Sequence, residues 1–249
     1  MEASLNRNVR ILPDAEAVAR TAARIFQSAA AVAVASRGRF SAALSGGSSP
    51  QLLYALLGND YRENIRWDLT HLFWSDERCV AADHEQSNFR LANEALISRI
   101  SIPAENIHRV RGELPPEEAA EEYERVLKAH FGADGIPRFD LILLGMGSDG
   151  HVASLFPGAE TLTETKRFAL PAFSASAGNG RVTLTLPVLN NASLLVFLVT
   201  GKTKAEIVTE LLAKGKRDHY PAGAINPQHG RIVWLLDRDA ASGLQQGPS

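Results

Sequence analysis

Apolar positions early in the chain recur at helical spacing. Ala15, Val18, Ala19, Ala22, Ile25, Phe26, Ala29, Val32, Ala33 and Ser36 follow i, i+3, i+4, i+7, the pattern of one buried helix face. Asp14 supplies an N-cap and Gly38 a stop. The period then changes. Phe40–Leu44 reads as a short apolar strand that runs straight into Ser45-Gly46-Gly47-Ser48-Ser49-Pro50. Pro50 suits the first turn of a second helix, which carries Leu52, Leu53, Leu56 and Leu57.

The rhythm repeats down the chain. Strands are expected at 71–74, Leu141–Leu144, Leu194–Val199 and 232–236. Helices are expected at 88–100, after Pro115-Pro116 (marked by Ala119, Tyr123, Val126, Leu127 and His130) and at about 203–212. The unbroken run Leu141-Ile142-Leu143-Leu144 fits a strand covered on both faces. Strands alternating with helices predict an α/β fold: a mainly parallel, Rossmann-like sheet wrapped by helices on both faces. Gly178-Asn179-Gly180 is too short for a linker, so residues 1–249 are expected to form a single domain.

Composition narrows the function classes. A chain of 249 residues with a formal net charge of −2 lacks the basic excess of a nucleic-acid binder. Positive charge aimed at a ligand must therefore be local. The lone Cys79 rules out an internal disulfide and points to a reducing compartment. Residues 1–8 lack the apolar core of a signal peptide, and the Ala/Val-rich stretch 29–36 is too short to span a bilayer. The expectation is a cytoplasmic, monomeric protein with no membrane or nucleic-acid partner.

Four segments fall at expected strand ends, where open parallel sheets bind ligands. In the loop around Gly46, Gly47, Ser48 and Ser49, two glycines allow close backbone approach and two hydroxyls add donors. The following helix N-terminus favours an anion, so this reads as a phosphate cradle, although a Walker ending is absent. Asp76-Glu77-Arg78 sets acid beside base, suited to proton handling and anion binding or to a surface ion pair. Gly145-Met146-Gly147-Ser148-Asp149-Gly150-His151 contains a formal dinucleotide fingerprint. That reading fails because Pro157-Gly158 leaves no room for the long helix it requires. What remains is His151 on a glycine-rich loop beside Asp149, a general-base candidate. Arg181, Lys202 and Lys204 are candidate counter-charges for a phosphate.

Two negatives matter as well. The other histidines (His71, His84, His108, His130, His219 and His229) show no paired ligand spacing, so no metal site is expected. No nucleophile elbow of the form G-x-S-x-G is present. Cys79 reads as a structural thiol rather than a reactive one.

The ordered set Ser45 to Pro50, Asp76-Glu77-Arg78, the run from Gly145 through Asp149-Gly150-His151 to Phe156-Pro157-Gly158, and Arg181-Val182-Thr183 resembles the 6-phosphogluconolactonases. The resemblance covers nearly the whole chain and departs at Ser49, where the family usually has threonine. It implies the NagB-like fold, no cofactor, and a phosphosugar lactone, 6-phospho-D-glucono-1,5-lactone, as substrate. The related glucosamine-6-phosphate deaminases are the alternative. They carry tyrosine where this chain has Arg78 and glutamate where it has Phe156, five residues after His151. A non-catalytic sugar-phosphate sensor is a third possibility, disfavoured by the lack of a helix-turn-helix or a basic stretch.

The roles that follow place the phosphate on Gly46, Gly47, Ser48 and Ser49, with Arg181 and Lys204 as counter-charges. Lys204 is preferred to Lys202 because the family's pattern sets the lysine three residues after the glycine. His151 acts as general base on water, with either Asp149 or Asp76 orienting it. Arg78 bonds the oxyanion or a sugar hydroxyl.

Overall fold

The computed structural model describes residues 7–174 and 178–244. Helix α1 (Ala15–Arg37) starts where the Asp14 carboxylate accepts from the Ala17 amide at 2.8 Å, and ends where the left-handed Gly38 returns its amide to Val34. Its buried face is Val18, Ala19, Ala22, Ala23, Phe26, Ala30 and Ala33. Val32, expected on that face, is 64% exposed and lines an open groove between the helix and the sheet.

Strands β1 (Arg7–Leu12), β2 (Phe40–Leu44), β3 (Thr70–Trp74), β5 (Leu141–Leu144), β8 (Leu194–Val199) and β9 (Arg231–Asp237) form one sheet. Its order is β1-β9-β8-β5-β2-β3, with every neighbouring pair parallel. Every residue of β2, β5 and β8 is buried, as befits strands covered on both faces. From β2 the chain steps outward to β3, and from β5 it steps the other way through β8 to β9. The loops after β2 and β5 therefore part at a topological switch point, where such sheets open a crevice.

The mainly parallel sheet agrees with the expectation, but two features do not. Edge strand β1 was not foreseen, since Arg7, Asn8 and Arg10 break its apolar pattern and Val9 and Ile11 stay largely exposed. A second sheet was also missed: β4 (Asp76–Arg78), β7 (Arg181–Leu184) and β6 (Ala169–Ala172), antiparallel in the order β4-β7-β6. Strands of three and four residues are too short to show a period. Ser75 joins the two sheets, its amide donating to Leu44 O at 2.7 Å and its carbonyl accepting from the Leu184 amide at 2.8 Å.

Helix α2 (Ser48–Asn59) packs on α1, and α3 (Asn88–Ala95) packs on α2. The helix expected at 88–100 stops at Ala95 and tightens into a 3-10 turn, Ile97–Arg99. Helix α4 (Pro116–Phe131) covers the small sheet. After the short α5 (Leu186–Asn190), a 3-10 turn over Lys202–Lys204 leads into α6 (Ala205–Leu212). No helix among the described residues is long and apolar enough to cross a membrane.

Candidate active site

At the switch point lies a cavity of about 280 Å³. Its walls include Gly46, Gly47, Ser48 and Ser49, then Asp76 and Arg78, then His151, Arg181 and Lys204. These predicted residues, far apart in sequence, meet in one place. Asp149 stands behind His151 rather than on the wall. A larger groove of about 1140 Å³ runs between α1 and the edge strands and contains none of them.

The first wall is the start of α2. Gly47 caps the helix without a side-chain hydrogen bond, so the first backbone N–H groups have no capping side chain. Tyr54 holds the preceding turn from below: its hydroxyl accepts from the Ser45 amide at 2.9 Å and donates to the Ser45 carbonyl at 2.7 Å. A Cβ at Gly46 would collide with the Asn88 carboxamide, so only glycine admits that contact. Ser49 Oγ lies 2.7 Å from Thr200 Oγ1, which ties the helix start to the end of β8.

The second wall is the loop after β5. His151 Nδ1 lies 2.6 Å from Asp149 Oδ1, and the same carboxylate accepts from the His151 amide at 3.2 Å. This pairing puts the proton on Nδ1 and leaves Nε2 with its lone pair. Burial tends to raise the Asp149 carboxyl, but the His151 amide and ring outweigh it and the net shift is downward. Gly147 packs so tightly that a Cβ there would collide with the His151 ring and the Asp149 carboxylate. Phe156 lies with its ring 4.9 Å from that of His151.

The third wall comes from the small sheet. Arg78 and Arg181 are register partners across β4 and β7. The Nε of each is buried and has no hydrogen-bond partner among the described residues. Arg78 Nη1 donates to Gln86 O at 2.5 Å, and Arg181 lies over the Phe156 ring. Burial and the neighbouring Arg78 lower the Arg181 pKa, and Asp76 and Glu77 pull it back. Arginine starts so high that it stays charged.

Asp76 does not meet His151. It is 5% exposed, accepts from Ser154 Oγ at 2.7 Å and from Asn88 Nδ2 at 3.3 Å, and lies 3.9 Å from Arg181. Of the two carboxylates left open for the histidine, Asp149 is the one within reach. Lys204 lines the cavity while Lys202 is exposed. Burial pulls the Lys204 pKa down and the Asp149 charge opposes it.

Several contributors escaped the sequence reading. Asn88 clamps Asp76 to the Gly46 turn, and Thr200 bonds Ser49. Glu77, 2% exposed, accepts from the Arg78, Asn88 and Phe89 amides and from the Ser87 hydroxyl. It holds the start of α3 against β4 and does not face the ligand. Linear spacing also gave no sign that His71, His108 and His130 come together at the other end of the sheet.

Fold and cavity together define a mainly parallel α/β protein whose strand-end cleft gathers a histidine, two arginines and a lysine beside an uncapped helix start. Residues 13–234 match the family model described as glucosamine-6-phosphate isomerases/6-phosphogluconolactonase, and the chain belongs to that family. A 6-phosphogluconolactonase of Synechocystis sp. is 42% identical over 217 residues, covering 86% of this chain and 88% of the relative. One of Nostoc sp. is 39% identical, covering 96% and 99%. The solved 6-phosphogluconolactonase of Trypanosoma brucei superposes with a TM-score of 0.86 at 28% identity, covering 97% and 100%. Within the family, the chain is an enzyme of the lactonase branch.

Proposed function

We propose that the protein hydrolyses 6-phospho-D-glucono-1,5-lactone to 6-phospho-D-gluconate, a step of the oxidative pentose phosphate pathway. The observation that carries this reading is the Asp149-backed His151, whose free Nε2 shares a cavity with an uncapped helix N-terminus, Arg181 and Lys204. A base beside an anion seat is what a phosphorylated ester requires.

The phosphate sits on the N–H groups and hydroxyls of Gly46, Gly47, Ser48 and Ser49, and Arg181 and Lys204 balance its charge. Anchored there, the lactone carbonyl is held near His151, so that binding energy becomes orientation. His151 Nε2 takes a proton from water as the water oxygen bonds to C1. The tetrahedral oxyanion then collapses, the C1–ring oxygen bond breaks, and the proton passes from His151 to the departing oxygen. Asp149 stabilises the imidazolium in between. Arg78 serves the lactone end, bonding the oxyanion or a sugar hydroxyl. Asp76 positions Arg181 rather than the histidine. The single free thiol, Cys79, supports a cytoplasmic setting.

Phe156 favours hydrolysis over deamination. The position at which related deaminases carry a glutamate holds an apolar ring against His151. The test mixes the purified protein with freshly made lactone and follows acid release above the spontaneous rate. Acceleration that disappears in His151→Ala is expected. Ammonia release from glucosamine 6-phosphate would favour the deaminase instead, and ligand binding without any turnover would favour a sensor.

A further inference from the structure

His71 is the second residue of β3 and pairs in register with Ser41, the second residue of β2. Both lie toward the amino ends of their strands, away from the loops that build the cavity. His108 follows the 3-10 turn Ala104–Asn106 and is fixed by its amide, which donates to Leu72 O at 2.8 Å. His130 comes from the last turn of α4. Three separate elements thus deliver one imidazole each to one half-buried spot.

One ring nitrogen from each histidine lies within 4.8 Å of the other two. His71 Nδ1 and His108 Nε2 are 3.1 Å apart, and Ser41 Oγ lies 2.8 Å from His130 Nε2. Nitrogens bound at about 2.0–2.1 Å around a tetrahedral zinc ion stand roughly 3.3 Å apart, close to the separation of His71 Nδ1 and His108 Nε2. Phe73 and Phe131 wall the cluster, with the Phe73 ring 4.3 Å from His108. The charged groups nearby are Arg39, which donates to the His130 carbonyl, and Asp140, which accepts from the Ser41 amide and pairs with Arg37.

We infer that His71, His108 and His130 form a binding site for a divalent transition ion of the zinc class, with the Ser41 hydroxyl or a water as fourth ligand. Three imidazole nitrogens select zinc, cobalt, nickel or copper over magnesium and calcium. The site pins the end of α4 to β2 and β3 and takes no part in hydrolysis.

The probe is cobalt(II), titrated into metal-stripped protein that carries no histidine tag. One equivalent should bind with the visible absorption of tetrahedral coordination, and zinc should displace it. His108→Ala should weaken binding at least ~100-fold, the upper end of what losing only an outer-shell partner costs. The exposed His219→Ala should leave binding unchanged. Thermal unfolding of each variant shows whether it is folded; if His108→Ala is not, His71→Gln makes the same comparison. Absence of stoichiometric cobalt binding by the unaltered chain overturns the inference, as does binding that survives loss of a cluster histidine in a folded variant.

Discussion

The contact between His151 and Asp149 has a consequence at a single residue. Asp149→Asn keeps the shape but removes the charge that holds the proton on Nδ1. We expect kcat to fall on the order of 100-fold with KM little changed, within the usual contribution of a general base. A raised KM with kcat intact would assign Asp149 to binding instead. The proposed role of Lys204 carries a pH limit. Its pKa is lowered by burial, so it loses its charge before an ordinary lysine near 10.4 does. Calorimetric Kd for 6-phosphogluconate should therefore begin to rise below that range as pH increases, and Lys204→Arg should move the rise to higher pH. An unshifted profile in the arginine variant would remove Lys204 from the anion seat. His151 and the Gly46–Gly47 turn were legible in the sequence because each lies in a glycine-rich loop after a strand, whereas the strand end offered Lys202 and Lys204 alike and only the family resemblance chose between them. Asn88, Thr200 and the histidine trio were not legible, since their meaning depends on partners that only the tertiary fold supplies.

Elements were legible in proportion to their length. The period of α1 and the apolar runs of β5 and β8 appear directly in the residue pattern. The short strands β4, β6 and β7 pair only with one another, and β1 is a charged edge, so no window of sequence distinguishes them from loop. Yet β4 carries Asp76 and Arg78, and Glu77 joins the Asn88–Asp76 contact in holding it to α3. Removing the Glu77 carboxylate strands one buried amide, of Asn88, and two partly buried ones, of Arg78 and Phe89. Glu77→Ala should lose about 2–4 kcal/mol of stability, measured as a lower urea midpoint, since unsatisfied buried donors cost about 1–3 kcal/mol each and water recovers part of the loss. A change under ~0.5 kcal/mol, the size typical of surface substitutions, would mean the amides find other partners.

At the scale of the whole molecule, the cavity draws on both sheets: the Gly46–Ser49 turn and His151 loop on the parallel one, the two arginines on the antiparallel one. Product at 100 times its Kd should add about 2.7 kcal/mol of stability and raise Tm by roughly 5–10 °C. Substituting Arg181→Ala should remove most of that rise; an undiminished rise would place the anion elsewhere. Between the sheets the backbone runs through Ser75, bonded to Leu44 on one side and Leu184 on the other. A bound phosphosugar therefore acts as a second brace across the same joint, parallel to the peptide chain. Hydrogen exchange at the Ser75 and Leu184 amides should slow when 6-phosphogluconate is present, although neither group lies within reach of the sugar as a direct partner. Ligand affinity and the rigidity of this seam are then one linked quantity, and a mutation that loosens Ser75 will be felt as weaker binding with every contact residue in place.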